Sequence, residues 1–269
     1  MTPYTFSPNT TMVMGILNVT PDSFSDGGLY AAPERAVARA LRIQAEGAGM
    51  LDIGAMSTRP GHMPVPPEEE LRRLLPVLEA LRGQISIPIS IDTTNPAVAR
   101  AALALGACAI NDVSGTVNAE MAEVIGEHNA GWILMHNNGG ADSAPRYEPD
   151  VVSVVRKALE ELAGQAYVFG IDEKRLCVDP GIGFGKSRED DLALLANTAK
   201  LKVPGVAYLV GVSRKRVIEY AGGGCRTASA TVAAHVIAQL DGANILRAHD
   251  VKEAVAAMRV CQSIITAAR

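Results

Sequence analysis

IPISIDTTNPAVARAALALGACAIND, residues 87–112, holds one complete strand–helix–strand unit. Ile87–Ile91 is a short apolar run rich in β-branched side chains, the mark of a strand, and it ends on a carboxylate, Asp92. Asn95-Pro96 then supplies an N-terminal cap followed by a residue whose φ is already helical. Apolar residues recur at three- and four-residue spacing across Pro96–Leu105, which predicts a helix. Gly106-Ala107 stops that helix and turns the chain, and Cys108–Ile110 begins a second strand that ends on Asn111 and Asp112. Two strands joined through a helix run parallel, so this stretch predicts a parallel sheet.

The same unit recurs along the chain. Strand-like runs stand at Met12–Val19, Met50–Ile53, Trp132–Met135, Leu176–Val178, Ala207–Val212 and Asn244–Leu246, which with the two above makes eight. Helical periodicity is clearest, besides Pro96–Leu105, in Pro33–Ala45, Pro67–Leu81, Val151–Ala166 and Thr227–Leu240, and Pro33 and Pro67, each followed by glutamate, read as helix openings. Gly47-Ala48 and Gly242-Ala243 repeat the stop-and-turn signal of Gly106-Ala107 before a strand. Gly139–Pro149 and Gly222–Gly224 read as surface loops, and no composition break separates two domains. The expectation is one α/β domain over residues 1–269, a closed (β/α)8 TIM barrel. The competing open doubly wound sheet lacks the G-x-G-x-x-G signature after its first strand.

Composition narrows the partners. A net charge of −4 over 269 residues, with both signs interspersed, gives no footprint for nucleic acid or an anionic membrane and points to small-molecule substrates. The start, MTPYTFSPNTTMVMG, lacks the basic and unbroken apolar parts of a signal peptide, and no later window approaches a membrane span, so a cytoplasmic location is expected. Cys108, Cys177, Cys225 and Cys261 are widely spaced and indicate neither a zinc site nor a disulfide framework.

Nearly every apolar run ends by delivering polar groups: Asn18, Asp52, Asp92, Asn111 with Asp112, His136, Asp179, Ser213 with Lys215, and Arg247 with His249. In a barrel these carboxyl ends converge on one mouth, where active sites of this fold lie. Several charges in one mouth are costly unless paired with each other or with a ligand, which favours a functional reading of Asp92, Asn111, Asp179, Lys215, Arg247 and His249. Asp52, inside Leu51-Asp52-Ile53, reads instead as a buried carboxylate that ties down a loop. His136 fits a loop cap or a substrate contact equally, and His62, His128 and His235 read as surface or packing residues. Two connections exceed the usual βα length, Thr20–Gly28 and Ala55–Gly61 with its proline-rich continuation, and long glycine-rich loops over a mouth are commonly lids. Within the second, Arg59 offers a phosphate fork and Ser57 and Thr58 offer hydroxyls. Asp179-Pro-Gly-Ile-Gly-Phe-Gly-Lys186 places glycines where a backbone approaches a flat ligand, without the spacing of a nucleotide-binding P-loop.

Taken in order, Met14-Gly-Ile-Leu-Asn-Val-Thr-Pro-Asp-Ser-Phe-Ser-Asp-Gly-Gly28, Asp52-Ile-Gly, Ser57-Thr-Arg-Pro-Gly61, Ser90-Ile-Asp-Thr93, Asn111-Asp-Val-Ser-Gly115, Asp179-Pro-Gly181, Gly211-Val-Ser-Arg-Lys215 and Arg247-Ala-His-Asp-Val251 resemble the dihydropteroate synthases across almost the whole chain. The resemblance implies a homodimeric (β/α)8 barrel that joins 6-hydroxymethyl-7,8-dihydropterin pyrophosphate to p-aminobenzoate in folate synthesis, assisted by Mg2+. It implies that Asp92, Asn111, Asp179 and Lys215 hold the pterin with Met135 lining the slot. Arg247 and His249 would receive the pyrophosphate, with Asn18 reaching it through the magnesium. Asp26, Thr58 and Arg59 would close over the pyrophosphate, while Phe24, Pro60, Phe184 and Lys215 frame the aniline ring. Asp92, Asp179, Lys215, Asp26 and Arg59 are the residues to which it assigns catalysis.

Three positions depart from the family pattern. Ala55-Met56 stands where glycine-glutamate is usual, Arg216 where a serine follows Ser-Arg-Lys, and Asn137-Asn138-Gly139 where a methionine-arginine pair is typical. A non-catalytic pterin-binding paralogue is the competing reading, distinguished by tight pterin binding without turnover. A methyltetrahydrofolate:corrinoid methyltransferase fits less well, because it needs neither the Ser57–Gly61 loop nor Ser213-Arg-Lys215.

Overall fold

In a computed structural model of the chain, which describes residues 2–20, 28–56, 65–139 and 147–267, strand and helix alternate throughout. The order is β1 Met12–Asn18, α1 Gly28–Ala45, β2 Met50–Gly54, α2 Pro67–Leu81, β3 Ile89–Asp92, α3 Pro96–Ala104, β4 Ala109–Asp112, α4 Ala119–His128 and β5 Gly131–Met135. It continues with α5 Val151–Val168, β6 Leu176–Asp179, α6 Arg188–Ala196, α7 Thr198–Leu201, β7 Ala207–Gly211, α8 Arg216–Ala221, α9 Ala228–Leu240, β8 Ile245–Ala248 and α10 Val251–Ala267. All eight strands pair in parallel, in sequence order, and β8 closes onto β1. The expected closed barrel is the observed fold, and the open sheet is excluded by the β1–β8 pairing.

Local chemistry accounts for the helix ends. Asn95 caps α3 by accepting hydrogen bonds from the backbone N–H groups of Ala97 and Val98 at 2.9 and 3.3 Å. Thr227 caps α9, and Gly47, Gly106 and Gly242 each take a positive φ where a helix turns into the next strand. Pro33 differs from expectation. The first helix begins at Gly28, and Pro33 lies inside it. Proline removes one backbone donor there, which α1 tolerates because Ala36, Ala40 and Ile43, spaced for one face, are fully buried and hold the helix to the barrel.

Side chains alternate across each strand, so the inward set is read by twos. At the amino-terminal half of the barrel Met14, Met50, Ala109, Ile133, Cys177, Leu209 and Ile245 form an apolar cluster with Phe6. Phe6 and Tyr4 meet edge to face at 5.1 Å and cap that end, their backbone N–H groups donating to Lys174 and Asn129 carbonyls. Two residues further along the same strands the inward positions are Asp52, Asn111, Asp179 and Arg247. The phase that packs the floor therefore presents a polar mouth.

Candidate active site

Asp92 and Asn111 are register partners on β3 and β4, and Asp52 stands opposite Ser90 one step below. Arg247 reaches across from β8. Its Nε donates to Asp52 Oδ2 and its Nη2 to Asp92 Oδ2, both at 2.7 Å. Asn111 Nδ2 donates to the same Asp52 oxygen at 3.1 Å. Asp52 is thus buried, as expected, but its partners are Arg247 and Asn111 rather than a loop. Burial, partly opposed by the Arg247 charge and reinforced by Asp52, pushes the Asp92 carboxyl up to about 7. Burial would lower the Arg247 guanidinium, but Asp52 and Asp92 outweigh it and hold the group well above its ordinary value.

On the other side of the mouth Asp179 ends β6, and its Oδ1 accepts the Gly181 N–H at 2.7 Å. Burial raises its carboxyl against the opposing charge of Lys215. Lys215 follows β7, donates from Nζ to the Ile182 carbonyl at 2.5 Å and lies 4.9 Å from the centre of the Phe184 ring. Burial brings its ammonium down to about 8, with Asp179 resisting. Ser213 Oγ accepts the His249 backbone N–H at 3.1 Å and lies 3.0 Å from His249 Nδ1, which joins the β7 and β8 ends. Met135 is buried at the end of β5, and Asn18 closes β1 half-buried.

Of the implied site, Asp92, Asn111, Asp179, Lys215, Arg247, His249, Met135, Phe184 and Asn18 all fall at the carboxyl-terminal mouth. Phe24, Asp26, Thr58, Arg59 and Pro60 lie outside the described residues. Asp112, counted above among the polar strand ends, points outward. It accepts from Trp132 Nε1 and the Ser114 N–H, so its role is structural. His136 is buried against Lys186, with Nδ1 3.0 Å from Nζ, and is a packing group rather than a free contact. His235 is buried inside α9, in keeping with its packing assignment. Two residues carry no strand-end signal and were legible only in part. Glu70, in the first turn of α2, is buried beneath Thr93, and Lys186, which ends the glycine-rich loop, is fully buried.

Among the described residues Asp52 Oδ1, Ser90 Oγ and Asn111 Oδ1 are buried without a hydrogen-bond partner. Such atoms are rare in folded proteins, and these three stand on neighbouring inward positions of one mouth. A model of the pterin-binding enzymes matches residues 14–249. The dihydropteroate synthase of Mycobacterium leprae is 43% identical over 263 residues, covering 92% of this chain and 91% of the relative. This chain belongs to the dihydropteroate synthase family. The solved structure of the Xanthomonas albilineans dihydropteroate synthase with 4-aminobenzoic acid superposes with a TM-score of 0.90 at 46% identity, over 96% of this chain and 94% of that one. A second structure of that synthase, in complex with 7,8-dihydropteroate, gives a TM-score of 0.84 at 41% identity over 96% and 94%. Within the family, the described mouth of this chain offers carboxylates and an amide on one side and a lysine over an aromatic ring on the other, two chemically different halves.

Proposed function

We propose that this chain condenses 6-hydroxymethyl-7,8-dihydropterin pyrophosphate with p-aminobenzoate, forming 7,8-dihydropteroate and releasing pyrophosphate. One observation carries the assignment of roles: Asp92, Asn111, Asp179 and Lys215 converge at the mouth beside three buried polar atoms without protein partners. A pterin presents ring and exocyclic N–H donors along one edge, and carboxylates with an amide oxygen are the matching acceptors. The related structures with 4-aminobenzoic acid and with 7,8-dihydropteroate support the amine substrate and the product.

The reaction forms a carbon–nitrogen bond and breaks a carbon–oxygen bond. The leaving pyrophosphate keeps the electron pair, the amine nitrogen attacks the pterin methylene carbon, and the proton lost from the amine goes to solvent. Positive charge that builds on the pterin as the bond loosens is favoured by Asp179 and Asp92, fixed in place before substrate arrives. An aniline nitrogen is neutral at pH 7, so placing it against that carbon matters more than a strong base. Phe184 and Lys215 frame its ring. Arg247 and His249 take the pyrophosphate. The Arg247 fork rests on Asp52 and Asp92, which keeps those carboxylates compensated.

The site also fits Mg2+. A Cβ built at Gly54 would stand 3.7 Å from Asn18 Oδ1, so the glycine keeps open the space before a hard oxygen donor. No group of three or more His, Cys, Asp or Glu that could hold a metal occurs among the described residues. Asn18 would be the protein ligand of such an ion, whose charge would make pyrophosphate a better leaving group. We further assign a homodimer formed through α9 and α10. Val232, Val236, Leu240, Ala257, Val260 and Ile264 line an apolar groove of about 610 Å³ on those helices, with Leu240, Val260 and Ile264 exposed. All four cysteines are free thiols, in keeping with a cytoplasmic setting, and no described helix is long and apolar enough to cross a membrane.

The test is to follow pyrophosphate release and coupled product with and without p-aminobenzoate in the presence of Mg2+. Amine-dependent release of both products is expected. Tight binding of the pterin pyrophosphate without amine-dependent release would instead assign the chain to the non-catalytic paralogue.

A further inference from the structure

A lysine side chain is seldom buried completely, because removing an ammonium from water is costly unless every proton is accepted. Lys186 is 0% exposed. Its Nζ lies 2.9 Å from the Gly181 carbonyl, 2.9 Å from the Phe184 carbonyl, 3.0 Å from His136 Nδ1 and 3.4 Å from the His136 carbonyl. No carboxylate is among these partners. An ammonium has three protons and no lone pair, so the three shorter contacts satisfy it, with Nδ1 accepting and the imidazole proton on Nε2. Burial, and then the Lys186 charge itself, pushes His136 down to about 4, which matches a neutral, accepting ring.

What this cage holds is the loop between β6 and α6. The two loop carbonyls that Lys186 gathers lie at either end of Gly181–Phe184, and the His136 contacts tie the loop to the end of β5. The backbone has little room of its own. Gly181 and Gly185 have φ of +68° and +63°, and a Cβ on either would run into the His136 or Asn138 carbonyl. On its front face the same loop presents the Ile182 carbonyl and the Phe184 ring, the two groups against which Lys215 is set. On its outer side Tyr147 Oη donates to the Gly185 carbonyl at 2.6 Å. Asp179 depends less on this arrangement, because β6 and the Gly181 N–H already fix it.

We propose that Lys186 is a positioning residue for the amine substrate: from behind, and with Tyr147 from outside, it sets the Ile182–Phe184 segment against which Lys215 and the aniline ring are placed. It touches no substrate. The inference rests on the condensation reading above and adds to it a residue with no strand-end signal.

The experiment compares Lys186→Gln, Lys186→Met and Tyr147→Phe with the parent chain. It measures KM for p-aminobenzoate, the Kd of the dihydropterin pyrophosphate without amine, and hydrogen exchange in residues 180–187. For the Lys186 variants KM for the amine should rise about tenfold, pterin affinity, which Asp92, Asn111 and Asp179 carry beside Lys215, should change by less than about threefold, and exchange should quicken in that loop while the strands stay protected. Tyr147→Phe should show the same pattern at about threefold. A Lys186 variant that folds, is less stable and keeps its amine KM and loop exchange would overturn the proposal and leave a purely structural lysine. If neither Lys186 variant folds, Tyr147→Phe decides, and an unchanged amine KM counts against the proposal. A parent chain without amine-dependent pyrophosphate release would remove the condensation reading itself, an outcome distinct from active parent and indifferent variants.

Discussion

The two ends of the barrel are built from the same strands on the same inward phase, yet they are chemically opposite. At the amino-terminal end Phe6, Met14, Met50, Ile133 and Leu209 pack without a polar atom, sealed by Tyr4. Further along the strands Asp52, Asp92, Asn111, Asp179 and Arg247 crowd together, with polar atoms left unpartnered and the Asp92 and Asp179 carboxyls raised by burial. The apolar end stabilises the fold and is indifferent to ligand. The mouth does the reverse, holding charges that lower stability until substrate supplies partners.

That contrast can be broken by substitution. Lys215→Ala should lower kcat/KM by about a thousandfold, roughly 4 kcal/mol of transition-state stabilisation, while urea unfolding stays close to the parent. Ordinary turnover in that variant would remove Lys215 from the site. Phe6→Ala at the sealed end should cost about 3 kcal/mol of stability with kcat and both KM values unchanged per folded molecule. A change in kcat would show that the two ends are coupled.

The pH dependence of stability sharpens the same comparison. Asp92 is raised from 3.8 to about 7, so between those values the folded chain binds a proton that the unfolded chain does not. Its stabilising contribution is full below the lower value and is lost as pH rises through about 7. The difference in urea midpoint between Asp92→Asn and the parent should therefore shift in favour of the variant as pH goes from about 5 to 8. A constant difference would mean that Arg247 holds Asp92 ionised throughout. The smallest effect is expected from Asn95→Ala, which removes the α3 cap well away from the mouth and should cost about 1 kcal/mol with activity intact.

Much of this was readable along the chain. The cap at Asn95-Pro96, the Gly-Ala stops and the apolar runs placed the strands to within a few residues, because each rests on contacts between near neighbours. The six residues of α8 carry too few turns for apolar periodicity to show, and α6, as long as α3, opens on charged residues that blur it, although the Ser187–Asp190 capping box marks its start. Pro33 misled because a proline also sits inside a helix whose buried face holds it. Asp112 misled because adjacent residues of a strand point to opposite faces, and the order Asn111-Asp112 does not say which faces in.

By itself the sequence determined the alternation of strand and helix, the parallel sheet and the residues that end each strand, since propensity, period and capping act over a few residues. Tertiary structure alone decided which of those residues meet: Arg247 on Asp52, 195 residues away, Lys186 on His136, 50 residues away, and Asp92 beside Asn111. Those pairings exist only once β8 closes onto β1 and the inward phase of every strand is set together. The charges they bury are tolerated in that closed geometry because the Arg247 fork meets Asp52 and Asp92 across the mouth.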